Sequence, residues 1–196
     1  EKLKNFKKSK EITEALEELN IDVSVEKVYF DTLIILNDPI LSYEKRTELL
    51  FEIFKENKII QRIFATFLIQ SNREFFFSNI DMFDCEKLID ILWYQKKEDI
   101  DFDKIKNNQF LNELYSAKNY INSVSTSSDF DLNILILINK YQKDIKTNLT
   151  FEFICNSCKH SSPFYEARCP NCHSILSLEV KHHLTKAYEL SNQSLQ

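Results

Sequence analysis

The sequence predicts a mainly α-helical chain, an array of helical hairpins, that ends in a small four-cysteine ribbon. Three observations predict it. Apolar residues recur three and four positions apart in segment after segment between Ile12 and Ile138. Two Cys-x-x-Cys pairs follow, Cys155-Asn156-Ser157-Cys158 and Cys169-Pro170-Asn171-Cys172, with ten residues between them. The stretches flanking the pairs, Thr150–Ile154 and Ile175–Glu179, alternate apolar and polar positions as strands do.

Composition sets the outer limits. At 196 residues, with 43% hydrophobic and 28% charged residues, the chain is globular rather than disordered, and its length suits one domain with an appendage or two small domains. The net charge of −5 weighs against broad binding of nucleic acid or anionic membranes, which needs a basic face. Glycine is absent, so tight turns fall to Asn, Asp, Ser and Pro, and a glycine-rich phosphate loop is ruled out. No run of about 20 apolar residues is present to span a membrane.

Residues 1–10, EKLKNFKKSK, read as a basic linker or the frayed start of a helix. The same composition fits a stretch just inside a membrane anchor, and a chain that starts at Glu1 is compatible with an anchor upstream. The helical array is expected over 11–146. Glu11–Asn20 carries Ile12, Leu16 and Leu19 on one side. Ser24 is a candidate N-cap, with Glu26 in the first turn, for a helix bearing Val25, Val28, Tyr29, Leu33 and Leu36. Asp38-Pro39 ends it, and Ser42 caps the next, whose apolar face is Tyr43, Leu49, Leu50, Ile53 and Phe54. Lys58–Gln70 shows a wide apolar stripe, as in a helix covered on more than one side. Phe75-Phe76-Phe77 reads as core at a helix junction rather than an exposed patch.

Asp84 is a candidate cap for a helix with Leu88, Ile89, Leu92 and Trp93; Cys85 at its start has no catalytic neighbours. One or two helices follow over Phe102–Ile121, then a loop at 122–128. Ile134–Ile138 fits a buried helix within 129–144, because no preceding strand offers it a partner. The array thus comprises roughly seven helices of about 12–18 residues.

The ribbon is assigned to 147–180. Each Cys-x-x-Cys turn brings two thiolates together, and two such turns complete a tetrahedral metal site at Cys155, Cys158, Cys169 and Cys172. Zinc suits four thiolates because its filled d shell imposes no competing geometry; iron fits the same sulfurs. A pair of disulfides is the alternative, at the cost of strain within each short loop. A ribbon of about thirty residues buries too little to fold alone, so metal binding would supply much of its folding free energy, on the order of 10–16 kcal/mol. His160 and His173 lie beside the knuckles but are superfluous to a complete shell, and His182-His183 reads as a solvated helix face. Residues 181–196 are expected to form a C-terminal helix or tail, in which Leu184, Ala187 and Tyr188 continue from Val180 at helical spacing, folded back with the ribbon onto Leu132–Tyr141. The paired acids Glu17-Glu18 and Asp101/Asp103 read as solvated faces, and no nucleophile–base constellation stands out.

The ribbon resembles the C-terminal rubredoxin-like domain of the lipopolysaccharide assembly protein B family. The resemblance rests on Cys155-x-x-Cys158, the ten-residue spacing, the aromatic pair Phe164-Tyr165, Cys169-Pro170-x-Cys172, the strand through Leu178, and the position after a helical array. Lys159 and His173 stand where such knuckles often carry glycine. The resemblance implies divergent tetratricopeptide-like repeats packed against the metal domain. It also implies an adaptor role at the inner face of a membrane.

The expected function is therefore a non-enzymatic scaffold that binds a protein partner through its helices. It would sit in the cytoplasm, where thiols stay reduced, without nucleic acid as a partner. A rubredoxin-like electron-transfer module and a nucleic-acid-binding zinc ribbon are the alternatives.

Overall fold

The computed structural model describes residues 2–142 and 146–186. Among these, nine α-helices precede a three-stranded sheet: α1 Lys2–Glu18, α2 Ser24–Asn37, α3 Tyr43–Glu56, α4 Gln61–Ser71, α5 Arg73–Ser78, α6 Ile89–Trp93, α7 Phe102–Ile105, α8 Gln109–Ala117 and α9 Phe130–Tyr141, then β1 Thr147–Cys155, β2 Ser161–Ser162 and β3 Leu178–Lys186. No helix among the described residues is long and apolar enough to cross a membrane.

Contacts group the chain into two compact units, and the division runs through the ribbon. Unit 1 holds, among the described residues, 2–84 together with the knuckle segments Cys155–His160 and Glu166–Leu178. Its core is aromatic. Phe54 and Phe64 are fully buried, with ring centroids 5.4 Å apart, and Phe54 stacks on Phe83 at 4.5 Å. Phe76 and Phe77 are also buried, so the run of three phenylalanines supplies core, while half-buried Phe75 meets Phe51 edge-on at 5.2 Å.

Unit 2 holds, among the described residues, 85–142, 146–154, 161–165 and 179–186. Here Leu88, just before α6, joins Ile89, Leu92, Leu111, Leu114, Tyr115, Leu132, Leu135 and Ile136 on the buried faces of α6, α8 and α9. Buried Glu113 is satisfied on both oxygens, by the Gln109 amide and by the Ser127 hydroxyl. The sheet, in order β2-β1-β3, packs on these helices. Trp93 Nε1 donates to Asn148 Oδ1 at 3.0 Å, the Tyr94 and Phe151 rings meet edge-on, and His182 Nε2 lies 3.0 Å from Asp129 Oδ2. Glu152 on the central strand accepts from the Ser161 hydroxyl on one side and contacts His183 Nε2 at 2.9 Å on the other. These two partners, Ser161 first, hold its carboxyl below the usual range.

Several expectations need correction. Of the two readings of the N-terminal stretch, residues 2–10 follow the helix start rather than the linker: α1 runs unbroken because Leu3 and Phe6 extend the inward stripe one turn apart. Its inner face is Leu3, Phe6, Thr13 and Leu16, and both Ile12 (54%) and Leu19 (70%) are exposed. Ser24 does not cap α2; Asp22 accepts its backbone N–H instead, whereas Ser42 caps α3 by accepting from Lys45 N. Lys58–Ile60 is a 3-10 turn before α4, and Glu86–Leu88 another before α6. Side-chain caps at Asn72, Asp101, Asn108 and Asp129 start α5, α7, α8 and α9, so the array has more and shorter helices than expected.

Residues 181–186 are strand, not helix. Val180, His182 and Leu184 alternate, and β1 offers an edge whose backbone groups need partners. His182-His183 therefore lies on a strand, with the two rings on opposite faces. Ala187 and Tyr188 lie outside the described residues.

Candidate metal centre

The local fold of each cysteine pair follows from one backbone pattern used twice. In the first knuckle Lys159 N donates to Cys155 O at 2.9 Å, and Cys155 N donates to His160 O at 2.9 Å. In the second, His173 N donates to Cys169 O at 3.0 Å, and Cys169 N donates to Ser174 O at 2.9 Å. This closure requires the residue after the second cysteine to turn left-handed. Lys159 has φ 61° and His173 φ 64°. A glycine-free chain must place side chains there, at about 1–2 kcal/mol for each L-residue held in that region. We therefore expect Lys159→Gly and His173→Gly each to stabilise the ribbon, by about 1 kcal/mol, in thermal unfolding of the reduced, metal-loaded protein. A loss of stability on either substitution would show that the side chain has a role of its own.

β1 leads into the first knuckle and β2 leaves it, paired antiparallel with Phe153 opposite Ser162 and Ile154 opposite Ser161. The second knuckle is closed at its base by an antiparallel bridge between Arg168 and Ile175. Asn156 N donates to Ser177 O at 2.8 Å, which ties the first knuckle to the chain leaving the second. Beside this in unit 1, burial raises the Tyr29 phenol pKa against the opposing pull of Arg168, which puts the second knuckle near α2.

The result is that Cys155, Cys158, Cys169 and Cys172 converge, with all four Sγ atoms within 4.8 Å of one another. Cys155 Sγ and Cys172 Sγ are 3.6 Å apart, and Cys158 Sγ and Cys169 Sγ are 3.7 Å apart. Both pairs cross from one knuckle to the other. Four sulfurs around one ion at zinc–thiolate distance stand about 3.8 Å apart. Disulfide sulfurs stand at about 2.0 Å. The donor set and spacing fit a four-thiolate metal ion, and all five cysteines are free thiols. Cys155 and Cys169 are buried, Cys158 is half-buried and Cys172 is exposed.

Polar groups around the sulfurs favour thiolate. The Ser177 hydroxyl, 3.3 Å from Cys155 Sγ, leads the backbone N–H groups of Cys158 and Ser157 in bringing that thiol down to about 5. The Asn171 side-chain amide donates to Cys158 Sγ at 3.4 Å and, ahead of the His160 backbone N–H, lowers it too. Cys169 behaves oppositely. The Cys172 backbone N–H pulls it down, but burial and the neighbouring Cys155 and Cys172 sulfurs outweigh that pull and push it up to about 11. Four negative sulfurs at this spacing repel one another, and a bound dication is what removes that repulsion.

Sequence reasoning did not identify Asn171, Ser174 and Ser177 as groups around the sulfurs. Asn171 and Ser174 were detectable in principle, since one lies inside the second knuckle and the other two positions beyond it; Ser177 had no local signal. His160 and His173 contribute backbone groups to the knuckles. No protein-family model, curated protein or solved structure matches this chain.

Proposed function

We propose that the chain is a non-enzymatic scaffold, in which a rubredoxin-like ribbon holds a structural zinc ion and an irregular, tetratricopeptide-like helical array binds a protein partner. The observation that carries this reading is the closed donor set: four cysteine sulfurs from two matching knuckles, spaced for a tetrahedron. Bound zinc would supply two positive charges to balance the thiolates and a fixed tetrahedral junction between the two knuckles. With four protein ligands no coordination position remains for substrate or water, which separates a structural centre from a catalytic one.

The chain's own residues do the rest. Cys155 and Cys158 terminate β1 and begin the return to β2, Cys169 and Cys172 hold the segment that enters β3, and Ser177 and Asn171 neutralise part of the sulfur charge. Thiolate ligands persist where thiols stay reduced, so the reading puts the working protein in the cytoplasm. Adaptor work at the inner face of a membrane is what the family resemblance adds. The formal charge of −5 favours protein over nucleic acid as the partner.

Metal analysis of protein purified in reducing, chelator-free buffer is expected to give one zinc per chain and no visible absorption. A coloured, reversibly reducible iron centre would replace the scaffold reading with electron transfer. A stoichiometry near zero would sink both. Affinity capture from the native host, with wild type and Cys169→Ser side by side, tests the partner: the scaffold reading expects a protein retained by the wild type and lost with the variant.

A further inference from the structure

We propose that α1 is a self-complementary surface that pairs antiparallel with α1 of a second copy of this chain. The helix is electrically divided. Residues 2–10 contain Lys2, Lys4, Lys7, Lys8 and Lys10 and no acid, whereas residues 11–18 contain Glu11, Glu14, Glu17 and Glu18 and no base. This order opposes the helix macrodipole, which favours acids in the first turn and bases in the last; α1 has neither. An isolated helix is weakened by that arrangement, and a partner carrying the reverse order alongside it removes the penalty.

Part of the charge is used within unit 1. Lys10 Nζ pairs with Asp31 at 2.6 Å and Glu17 with Lys27 Nζ at 2.7 Å, both toward α2, and Glu14 also acts on Lys27. Lys4, Lys7, Lys8, Glu11 and Glu18 are exposed and form no ion pair among the described residues. At 100° per residue Lys4, Lys8, Glu11, Ala15 and Glu18 form one outward stripe, spaced four, three, four and three apart as along the seam of a helix pair. Lys7 and Glu14 flank it on one side, and the exposed Ile12 flanks it on the other.

Two-fold antiparallel pairing centred near Glu11 sets the basic half of each helix against the acidic half of the other, with Glu11 facing its own counterpart at the axis. Lys4 comes opposite Glu18 of the second copy. Because the two-fold axis keeps like flanks together, Lys7 meets the second copy's Glu14 and Glu18 on one side, and Ile12 meets its own counterpart on the other. The overlap is the length of α1, about 25 Å, which is one helix face rather than the larger area of an obligate dimer. Reversible, salt-sensitive association follows. An anionic membrane fits the surface less well, since the same stripe carries Glu11 and Glu18 and would be repelled along half its length.

Sedimentation of the full-length, metal-loaded chain tests this. Wild type is expected to self-associate at about 0.05 M ionic strength and to weaken at least about tenfold at 0.5 M. The triple variant Lys4→Glu/Lys7→Glu/Lys8→Glu and the triple variant Glu11→Lys/Glu14→Lys/Glu18→Lys should each be monomeric, and an equimolar mixture should recover a dimer of one of each. Circular dichroism shows whether both variants keep wild-type helicity; the first should be no less heat-stable than wild type, since acids in the opening turns suit the dipole. Monomeric wild type at low salt overturns the proposal, as does a mixture that stays monomeric. Wild type that remains monomeric but binds vesicles of phosphatidylcholine and phosphatidylserine assigns the surface to an anionic membrane instead and equally overturns it.

Discussion

Cys172→Ser is expected to abolish stoichiometric zinc binding and melt the ribbon, although Cys172 is the exposed cysteine of the four. That exposure is why the substitution is informative. Exchanging sulfur for oxygen at an exposed site with no other role changes stability by no more than about 0.5 kcal/mol. Structural zinc sites instead contribute on the order of 10–16 kcal/mol, and three thiolates hold the ion far less well than four. β1 ends at Cys155 and β3 starts beyond the second knuckle, so loss of the centre frees one end of each long strand. Trp93, the chain's only tryptophan, is buried and donates its indole N–H to Asn148 on β1, so release of that strand should red-shift its fluorescence. Cys85→Ser is the control: Cys85 is buried in unit 2 and outside the thiol cluster, so that variant should cost some stability and keep its zinc. A Cys172→Ser protein that retained one zinc and native tryptophan emission would remove Cys172 from the ligand set.

The four cysteines were legible because a metal knuckle is local: two ligands three residues apart announce themselves whatever surrounds them. The helices from α2 to α4 and α9 were legible for a related reason, since apolar spacing and the Asp38-Pro39 and Ser42 signals act within a turn or two. What failed depended on distant chain. The apolar spacing from Val180 supports period two and period four about equally, and for the described residues to Lys186 only the open edge of β1 decides for strand. Ile12 of α1 and Leu19 just beyond it face out, although their spacing from Leu16 suggested one inward stripe, because the side packed toward α2 is the one bearing Leu3, Phe6, Thr13 and Leu16. The left-handed backbone at Lys159 and His173 carries no glycine to mark it, and only the resemblance of the knuckles to a known ribbon pointed to those two positions. The division of the ribbon between two compact units has no local signal at all.

Phe54→Ala is expected to be the most damaging core substitution in unit 1. The ring is fully buried, stacks on Phe83 at 4.5 Å, tilts against Phe64 at 5.4 Å and lies 3.7 Å beneath the ammonium of Lys58. Truncation to alanine at such a site removes the transfer energy and leaves a cavity, about 3–5 kcal/mol in total. Native domains hold only about 5–15 kcal/mol, so the loss takes a large share of the whole. Phe54→Leu keeps most of the volume and should retain well over half of what alanine loses. Phe164→Ala, at a ring 74% exposed, should lie within about 0.5 kcal/mol of wild type. Unit 1 includes both knuckles as well as this aromatic core. If it melts as one cooperative body, Phe54→Ala must lower the temperature of zinc release along with the loss of helical signal, although none of its atoms is a ligand. Heating the variant with a chromogenic zinc chelator and following ellipticity in parallel makes the comparison. Zinc released at the wild-type temperature, after the helical signal has already fallen, would mean that the knuckles stand independently of α3.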